Sequence, residues 1–253
     1  MTAFAALTVI SDLPATQPRL TPISFAPDLI IFDCDGVLID SEVISARVLI
    51  SALASVGVHV DMAHVQTHFV GRSWAKVAAE IRNSHGYLPG TDFEEKYRIE
   101  LLAQFEEELI PTPGIKSLLQ QLAVKSCVAT SSTPRRAQRS LELTGLTDFF
   151  DKRIFTASEV ERGKPAPDLF LHAAKRMNVD PAKCLVIEDS LPGLQAAENA
   201  GMQLLRFTGG SHLAGMSAQA LSLNGKVRCF DKWEHFFEMV PLANKQANGR
   251  MSE

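Results

Sequence analysis

The stretch LIIFDCDGVLIDSE (Leu29–Glu42) changes character in its middle. Leu29–Phe32 is a continuous apolar run, the pattern of a strand covered on both faces. Asp33 closes the run, Asp35 follows, and Gly36 lets the chain turn sharply after them. Two apart in extended backbone, the Asp33 and Asp35 side chains leave the same side of the strand. After Ser41 the apolar residues Ile44, Val48, Leu49 and Leu53 recur at helical spacing as far as Gly57, a stop signal.

The stretch CLVIEDSLPGLQAAENAG (Cys184–Gly201) has the same plan: an apolar strand-like run, the acids Glu188 and Asp189, then Ser190 and a helical pattern. Acids at the ends of two buried strands repel one another unless a cation sits between them, and a divalent metal is the economical answer. Hard oxygen ligands at an open position suit Mg²⁺. Acids are also favoured at helix starts by the macrodipole, but that explains one acid better than two at a strand end.

Between these stretches, helical segments are expected around residues 61–69, 73–84 and 93–108, with no strand among them. Strand and helix then alternate: helix 114–123, strand 126–130, helix 133–144, strand 153–156, helix 167–177, strand 184–187, helix 192–200, strands 202–207 and 227–230, and a closing helix 232–240. Such alternation predicts an α/β fold, a doubly wound parallel sheet with helices on both faces. The all-helical block 41–111 is then an insertion after the first strand, with hinges at Asp40-Ser41 and Pro111–Gly114. Residues 28–40 and 112–253 form the core, and 1–27 read as a loosely structured leader.

With 253 residues, 46% of them hydrophobic, the chain can build a large core. A net charge of −4 gives no reason to expect nucleic acid or an anionic membrane as partner, and no apolar run reaches the roughly 20 residues that span a bilayer. Cys34, Cys127, Cys184 and Cys229 show no metal-ligand spacing; they read as packing residues in a reducing cytoplasm.

Ligands of parallel sheets bind outside the carboxyl ends of the strands. Asp33 and Asp35, Thr130 with Ser131 and Ser132, and Glu188 and Asp189 all fall there, joined by Lys164 in the loop ERGKPAPDLF (Glu161–Phe170). A carboxylate beside a metal is a nucleophile for phosphorus. A second one, kept protonated by its neighbours' negative charge, can give its proton to a departing alkoxide. Thr130 ends a strand just before a helix start, where anions bind, although an N-cap would look the same. Pro165 and Pro167 stiffen the backbone around Lys164, as phosphate binding would reward; an isolated Lys would read as solvated.

Together D-x-D-G-V-L-x-D-S, the strand-ending Thr, G-K-P-x-P-D-x-F and E-D-S-x-x-G-x-x-A-A resemble the haloacid dehalogenase-like hydrolase superfamily, over about Leu29 to Phe207. Within it they are similar to the branch of β-phosphoglucomutase and the small sugar-phosphate phosphatases. The resemblance implies a Rossmann-like core, a helical cap after the first strand, and Mg²⁺-dependent phosphoryl transfer through an aspartyl-phosphate. It makes Asp33 nucleophile and metal ligand, and Asp35 the acid/base and a ligand through its backbone carbonyl. Thr130, Ser131 and Lys164 would hold the phosphoryl group, Asp189 would be a further ligand, and Glu188 would lie beside or behind it.

Three departures narrow the activity. Mutases carry a His in the first cap helix, and Ser45 stands near that position. True dehalogenases lack the second Asp, which is present here as Asp35. Phosphonate hydrolysis uses a Lys early in the cap, and none occurs between Ser41 and Trp74. The expectation is a phosphomonoester hydrolase, with a sugar phosphomutase and a receiver-type phospho-acceptor as alternatives. Its substrate would be a small phosphorylated metabolite, a sugar phosphate or a sugar acid such as 6-phosphogluconate, and the protein a monomer or weak dimer. Arg72, in FVGRSW, is the first cap candidate for reading a substrate oxygen, because a guanidinium does so bidentately.

Overall fold

β1 (Leu29–Phe32) sits inside a six-stranded parallel sheet with β2 (Lys125–Thr130), β3 (Ile154–Thr156), β4 (Cys184–Glu188), β5 (Gln203–Phe207) and β6 (Cys229–Phe230), in the order β3-β2-β1-β4-β5-β6. These assignments come from a computed structural model that describes Ile23 and residues 25–245. The leader expected over 1–27 therefore lies almost wholly outside the described residues. The helices between and after the strands are α1 (Glu42–Ala54), α2 (Met62–His68), α3 (Trp74–His85), α4 (Thr91–Glu108), α5 (Ile115–Gln121), α6 (Pro134–Leu143), α7 (Thr147–Phe150), α8 (Asp168–Met177), α9 (Leu191–Asn199), α10 (Ala218–Leu221) and α11 (Phe236–Met239). Among the described residues no helix is long and apolar enough to cross a membrane.

The apolar run of β1 is explained by what lies on its two faces. Leu29 and Ile31 pack with Leu169, Ala173, Ala196 and Ala197 of α8 and α9. Ile30 and Phe32 point the other way, into a core with Leu141, Phe150, Trp233 and Phe236. All four β1 side chains are fully buried.

Trp233 is the pin of that second core. Its ring stacks on Phe207 at 4.4 Å, meets the edge of Phe32 at 6.0 Å, and donates its indole N–H to Thr112 Oγ1 at 2.9 Å. The expected closing helix over 232–240 is consequently broken: Trp233–His235 form a 3₁₀ turn and only Phe236–Met239 are α-helical. Trp233→Ala is expected to destabilise the fold by about 3–5 kcal/mol, the usual cost of emptying an aromatic site. Urea unfolding measures it, and a loss below 1 kcal/mol would contradict this packing.

Helices α1 to α4 all lie between β1 and β2. The two strands of chain that enter and leave the insertion are tied together. Asp40 N–H donates to Ile110 O at 3.0 Å, Thr112 N–H to Leu38 O at 3.0 Å, and Thr112 Oγ1 to Val37 O at 2.7 Å.

Candidate active site

β2, β1 and β4 are neighbours in register, with Phe32 opposite both Val128 and Ile187. Their carboxyl ends therefore deliver Thr130, Asp33 and Glu188 to one edge of the sheet. Asp33 N–H donates to Ile187 O at 2.9 Å, which extends the β1–β4 ladder to the first acid. Gly36 then takes a φ of +77°, and a Cβ on it would lie 2.2 Å from Asp189 Oδ2. The turn after β1 can pass so close to the second acidic pair only because glycine is there.

Lys164 reaches this edge from the loop before α8. Its ammonium lies 2.6 Å from Asp33 Oδ1 and 2.7 Å from Glu188 Oε1, with the ring of Phe170 4.9 Å away. Burial alone would lower its pKa, but the two carboxylates more than offset that and raise it, so Lys164 is a fixed cation. The other oxygen of Glu188 accepts from Ser190 N–H and Oγ, at 2.7 and 2.9 Å. Both Glu188 oxygens are thus engaged. Gly193 makes room for them, since a Cβ there would stand 1.7 Å from Glu188 Oε1. Gly193→Ala should push Glu188 off Lys164 and cost about 1–3 kcal/mol of stability together with activity. Parallel urea titrations and rate assays check this, and a variant unchanged in both would contradict it.

Asp35 is held by a different set of partners from Asp33. Ser41 Oγ and Arg136 Nη2 donate to its Oδ1, each at 2.6 Å, and Ser132 Oγ donates to Oδ2 at 2.6 Å. Burial would raise its pKa, but the Arg136 guanidinium and the two hydroxyls outweigh that and hold it below the usual carboxylate range. This reverses the sequence expectation of a protonated Asp35. The neighbouring acids matter less than a cation that the sequence did not expose. Thr130 Oγ1 accepts from Ser132 N–H at 3.0 Å, so the chain folds back at the end of β2 and opens α6.

A family model described as haloacid dehalogenase-like hydrolase matches residues 27–201. The chain belongs to that family. It is 32% identical over 186 residues to 6-phosphogluconate phosphatase of Escherichia coli (strain K12), covering 73% of this chain and 84% of that protein. It is also 32% identical over 184 residues to a phosphorylated carbohydrates phosphatase of Thermotoga maritima, covering 70% and 82%. Among solved structures, a HAD family hydrolase from Deinococcus radiodurans with bound phosphate and sodium superposes with a TM-score of 0.65 at 32% identity, covering 86% of this chain and 98% of that one.

HAD-like phosphatases generally use Mg²⁺, and the donor set of this HAD-like hydrolase fits a hard dication. Asp33, Glu188 and Asp189 offer carboxylate oxygens that all lie within 4.8 Å of one another, and all three residues are buried. Neither Asp189 oxygen has a hydrogen-bond partner. His212 Nε2 is 2.9 Å from Asp189 Oδ2 but off the direction of a hydrogen bond, and both its ring nitrogens are unsatisfied too. Burial and the charge of Glu188 raise the Asp189 pKa well above normal, and burial leads the same rise at Asp33, where Lys164 only partly opposes it. Arg206 Nε holds the Asp189 carbonyl at 2.9 Å, which aims the side chain.

The acids open into a cavity of about 540 Å³ that extends under the inserted helices and is lined by Asp33, Asp35, Thr130, Ser131, Lys164 and Arg72, among others. Of the expected site residues, Asp189 and Glu188 do not line this space, while Arg72, in the turn before α3, borders it as an exposed residue. Ser131 Oγ donates to Gly71 O at 3.2 Å, and Lys76 Nζ donates to Gly163 O at 3.1 Å and to Lys164 O, so α3 and the turn before it rest on the loops after β2 and before α8.

Sequence reasoning missed Arg136 and Lys76. Arg136 is one of three arginines in PRRAQRS, a run that reads as a solvated helix face. A usable signal was Pro134 with Thr133: they start α6, with Thr133 Oγ1 accepting from Arg136 N–H, and so set Arg136 in the first turn, facing the cleft.

Proposed function

We propose that the chain is a Mg²⁺-dependent phosphomonoester hydrolase that acts on a small phosphorylated sugar through a phosphoryl-Asp33 intermediate. The observation that supports it most is the Asp33 carboxylate, fixed at 2.6 Å by Lys164 at the wall of the cavity, with an unsatisfied Asp189 beside it. The printed activities of the relatives from Escherichia coli and Thermotoga maritima support the phosphorylated-sugar class.

In this reading Thr130, Ser131 and Lys164 bind the phosphoryl group, and the free oxygen of Asp33 attacks phosphorus. Lys164 stays charged and offsets the negative charge spread over the equatorial oxygens. Asp33 and Asp189, with the Asp35 carbonyl and Glu188 alongside, would hold Mg²⁺, which when bound supplies charge neutralisation of the phosphoryl group. Glu188 anchors Lys164 from behind. Asp35 as it stands is in its base form, suited to taking a proton from the water that cleaves phospho-Asp33. To donate a proton to the leaving alkoxide it must first leave Arg136 and take up a proton from solvent. The inserted block 41–111 acts as the cap that excludes water during the first transfer, over a core of residues 28–40 and 112 onward. Ser45 donates to Ser41 O at 2.8 Å and accepts from Arg136 at 3.1 Å. It offers no base for returning a phosphoryl group to sugar, which favours hydrolysis over mutase chemistry.

The test is a panel of phosphorylated sugars and sugar acids assayed with Mg²⁺ and with chelator. Free phosphate that requires the metal is expected; isomerised sugar phosphate without release would point to a mutase. Metal should also stabilise the fold. The folded, metal-free protein keeps protons on Asp33 and Asp189 that the unfolded chain has already released, because their folded pKa values are raised. Its stability therefore falls as pH rises from the ordinary carboxylate range through those values. Mg²⁺ at about a hundred times its Kd should restore about 2.7 kcal/mol at neutral pH and less near pH 5. Thermal unfolding with and without chelator reads this, and an equal gain at both pH values would count against the ligand set.

A further inference from the structure

The cavity wall changes polarity with distance from the acids. Glu42, Ser45, Ala46 and Leu49 of α1 all line it, at the i, i+3, i+4, i+7 spacing of one helix face. Over those seven residues the helix advances about 10 Å. The end next to the catalytic loops is polar: Ser41 Oγ donates to Asp35 at 2.6 Å, and Ser45 Oγ accepts from Arg136 at 3.1 Å. Glu42, 9% exposed, has its carboxyl at this end, where burial pushes its pKa up to about 8. It can therefore both donate to and accept from a sugar hydroxyl.

Beyond Ala46 a cluster of apolar side chains borders the cavity, whose rim also carries Arg72, Thr91, Glu94, Glu95, Tyr97 and Arg98. Leu49, Val65, Phe69, Val77 and Leu101 border the cavity and are at most 6% exposed, and the ring of Trp74 lines it as well. A sugar or sugar acid with a hydroxyl on every carbon would press hydroxyls against these side chains and lose their hydrogen bonds to water, a cost that the apolar cluster itself does not return. An aromatic ring in the same place buries large apolar area and covers side chains that an empty cavity leaves without neighbours on one side.

We propose that the apolar end of the cavity takes an aromatic ring carried by the sugar, so that the substrate class is a sugar phosphate bearing an aromatic heterocycle, as in a nucleoside or flavin 5′-monophosphate. The phosphoryl group lies at Asp33, the sugar at Glu42 and Ser45, and the ring against Leu49 and Val77. This rests on the hydrolase reading above and specifies its substrate.

The experiment measures kcat/KM with Mg²⁺ for flavin mononucleotide, adenosine 5′-monophosphate, ribose 5-phosphate, 6-phosphogluconate and p-nitrophenyl phosphate. At least one ring-bearing sugar phosphate should exceed ribose 5-phosphate tenfold or more, chiefly through KM, since even one methylene in an apolar pocket discriminates by about 10-fold or more. In Leu49→Asn the ratio between that substrate and ribose 5-phosphate should fall about tenfold, while Leu49→Met retains it. Thermal unfolding confirms that both variants are folded, and the wild-type panel stands if Leu49→Asn is not. Ribose 5-phosphate or 6-phosphogluconate equalling the ring-bearing substrates would overturn the inference and leave the hydrolase reading in place. So would an unchanged ratio in folded Leu49→Asn. Phosphate released from none of the five would overturn the hydrolase reading and this inference with it.

Discussion

Replacing Lys164 with Met should leave a protein that barely turns over and unfolds several kcal/mol more easily at neutral pH. The Lys164 side chain is 1% exposed and its ammonium is shared between Asp33 and Glu188, whose side chains are 8% and 0% exposed. Breaking a buried ion pair from one side strands the remaining charges and costs about 3–5 kcal/mol. Here two carboxylates would face each other in the same small space. With Lys164 gone, nothing offsets the burial and the neighbouring acids that already raise the Asp33 pKa, so it rises further. A raised carboxyl pKa is a stability loss that grows as pH increases through it. The deficit should therefore be small near pH 4.5 and full near pH 7.5, which urea unfolding at the two pH values separates. Turnover should fall by at least about 10²–10³-fold from the lost stabilisation of phosphoryl charge. A variant as stable as wild type at pH 7.5 would show that the triad of Lys164, Asp33 and Glu188 is not what holds this end of the sheet.

Asp33→Asn is expected to separate activity from stability. The amide has nearly the same volume and cannot attack phosphorus, and losing a nucleophile elsewhere has cost on the order of 10⁶-fold in kcat. Stability should change by less than about 1 kcal/mol because two effects oppose each other. Lys164 loses one partner but keeps Glu188 at 2.7 Å. At the same time a group whose ionisation is opposed by burial, Glu188, Asp189 and Asp35 is replaced by one that does not ionise. A steady-state assay with matched urea titrations reads both quantities. Residual activity above 1% of wild type would remove Asp33 from the role of nucleophile.

The architecture was legible where two physical requirements coincide in sequence. Leu29–Phe32 has no polar residue because both faces of β1 are covered, and the helices from Glu42 to Glu108 show no strand because none of them joins the sheet. The motif acids could be placed because a strand end followed by glycine leaves few other positions for a side chain. Legibility failed where a long-range partner decides. Pro134 and Thr133 mark where α6 begins, but only the folded chain shows that Arg136, and not Arg135 or Arg139, turns inward to Asp35 and over the ring of Phe105, 5.2 Å away. The protonation state expected for Asp35 was reversed for that reason. The helix expected over 232–240 failed similarly: its apolar residues have helical spacing, but Trp233 is held by Phe207 and Thr112, and the turn around it tightens to satisfy them. The polarity of the cavity wall belongs to the same class, since Leu49, Val65, Val77 and Leu101 read individually as cap core and only their arrangement shows that they also border a site.

Capturing the covalent intermediate tests the central claim most directly. Enzyme mixed with a turned-over phosphomonoester and Mg²⁺, quenched in acid within the first turnover and digested, should yield the peptide containing Asp33 carrying one phosphoryl group. That label should be absent when chelator replaces Mg²⁺ and absent in Asp33→Asn. Steady release of phosphate with no phosphorylated Asp33 at any quench time, or a label on another residue, would contradict the account.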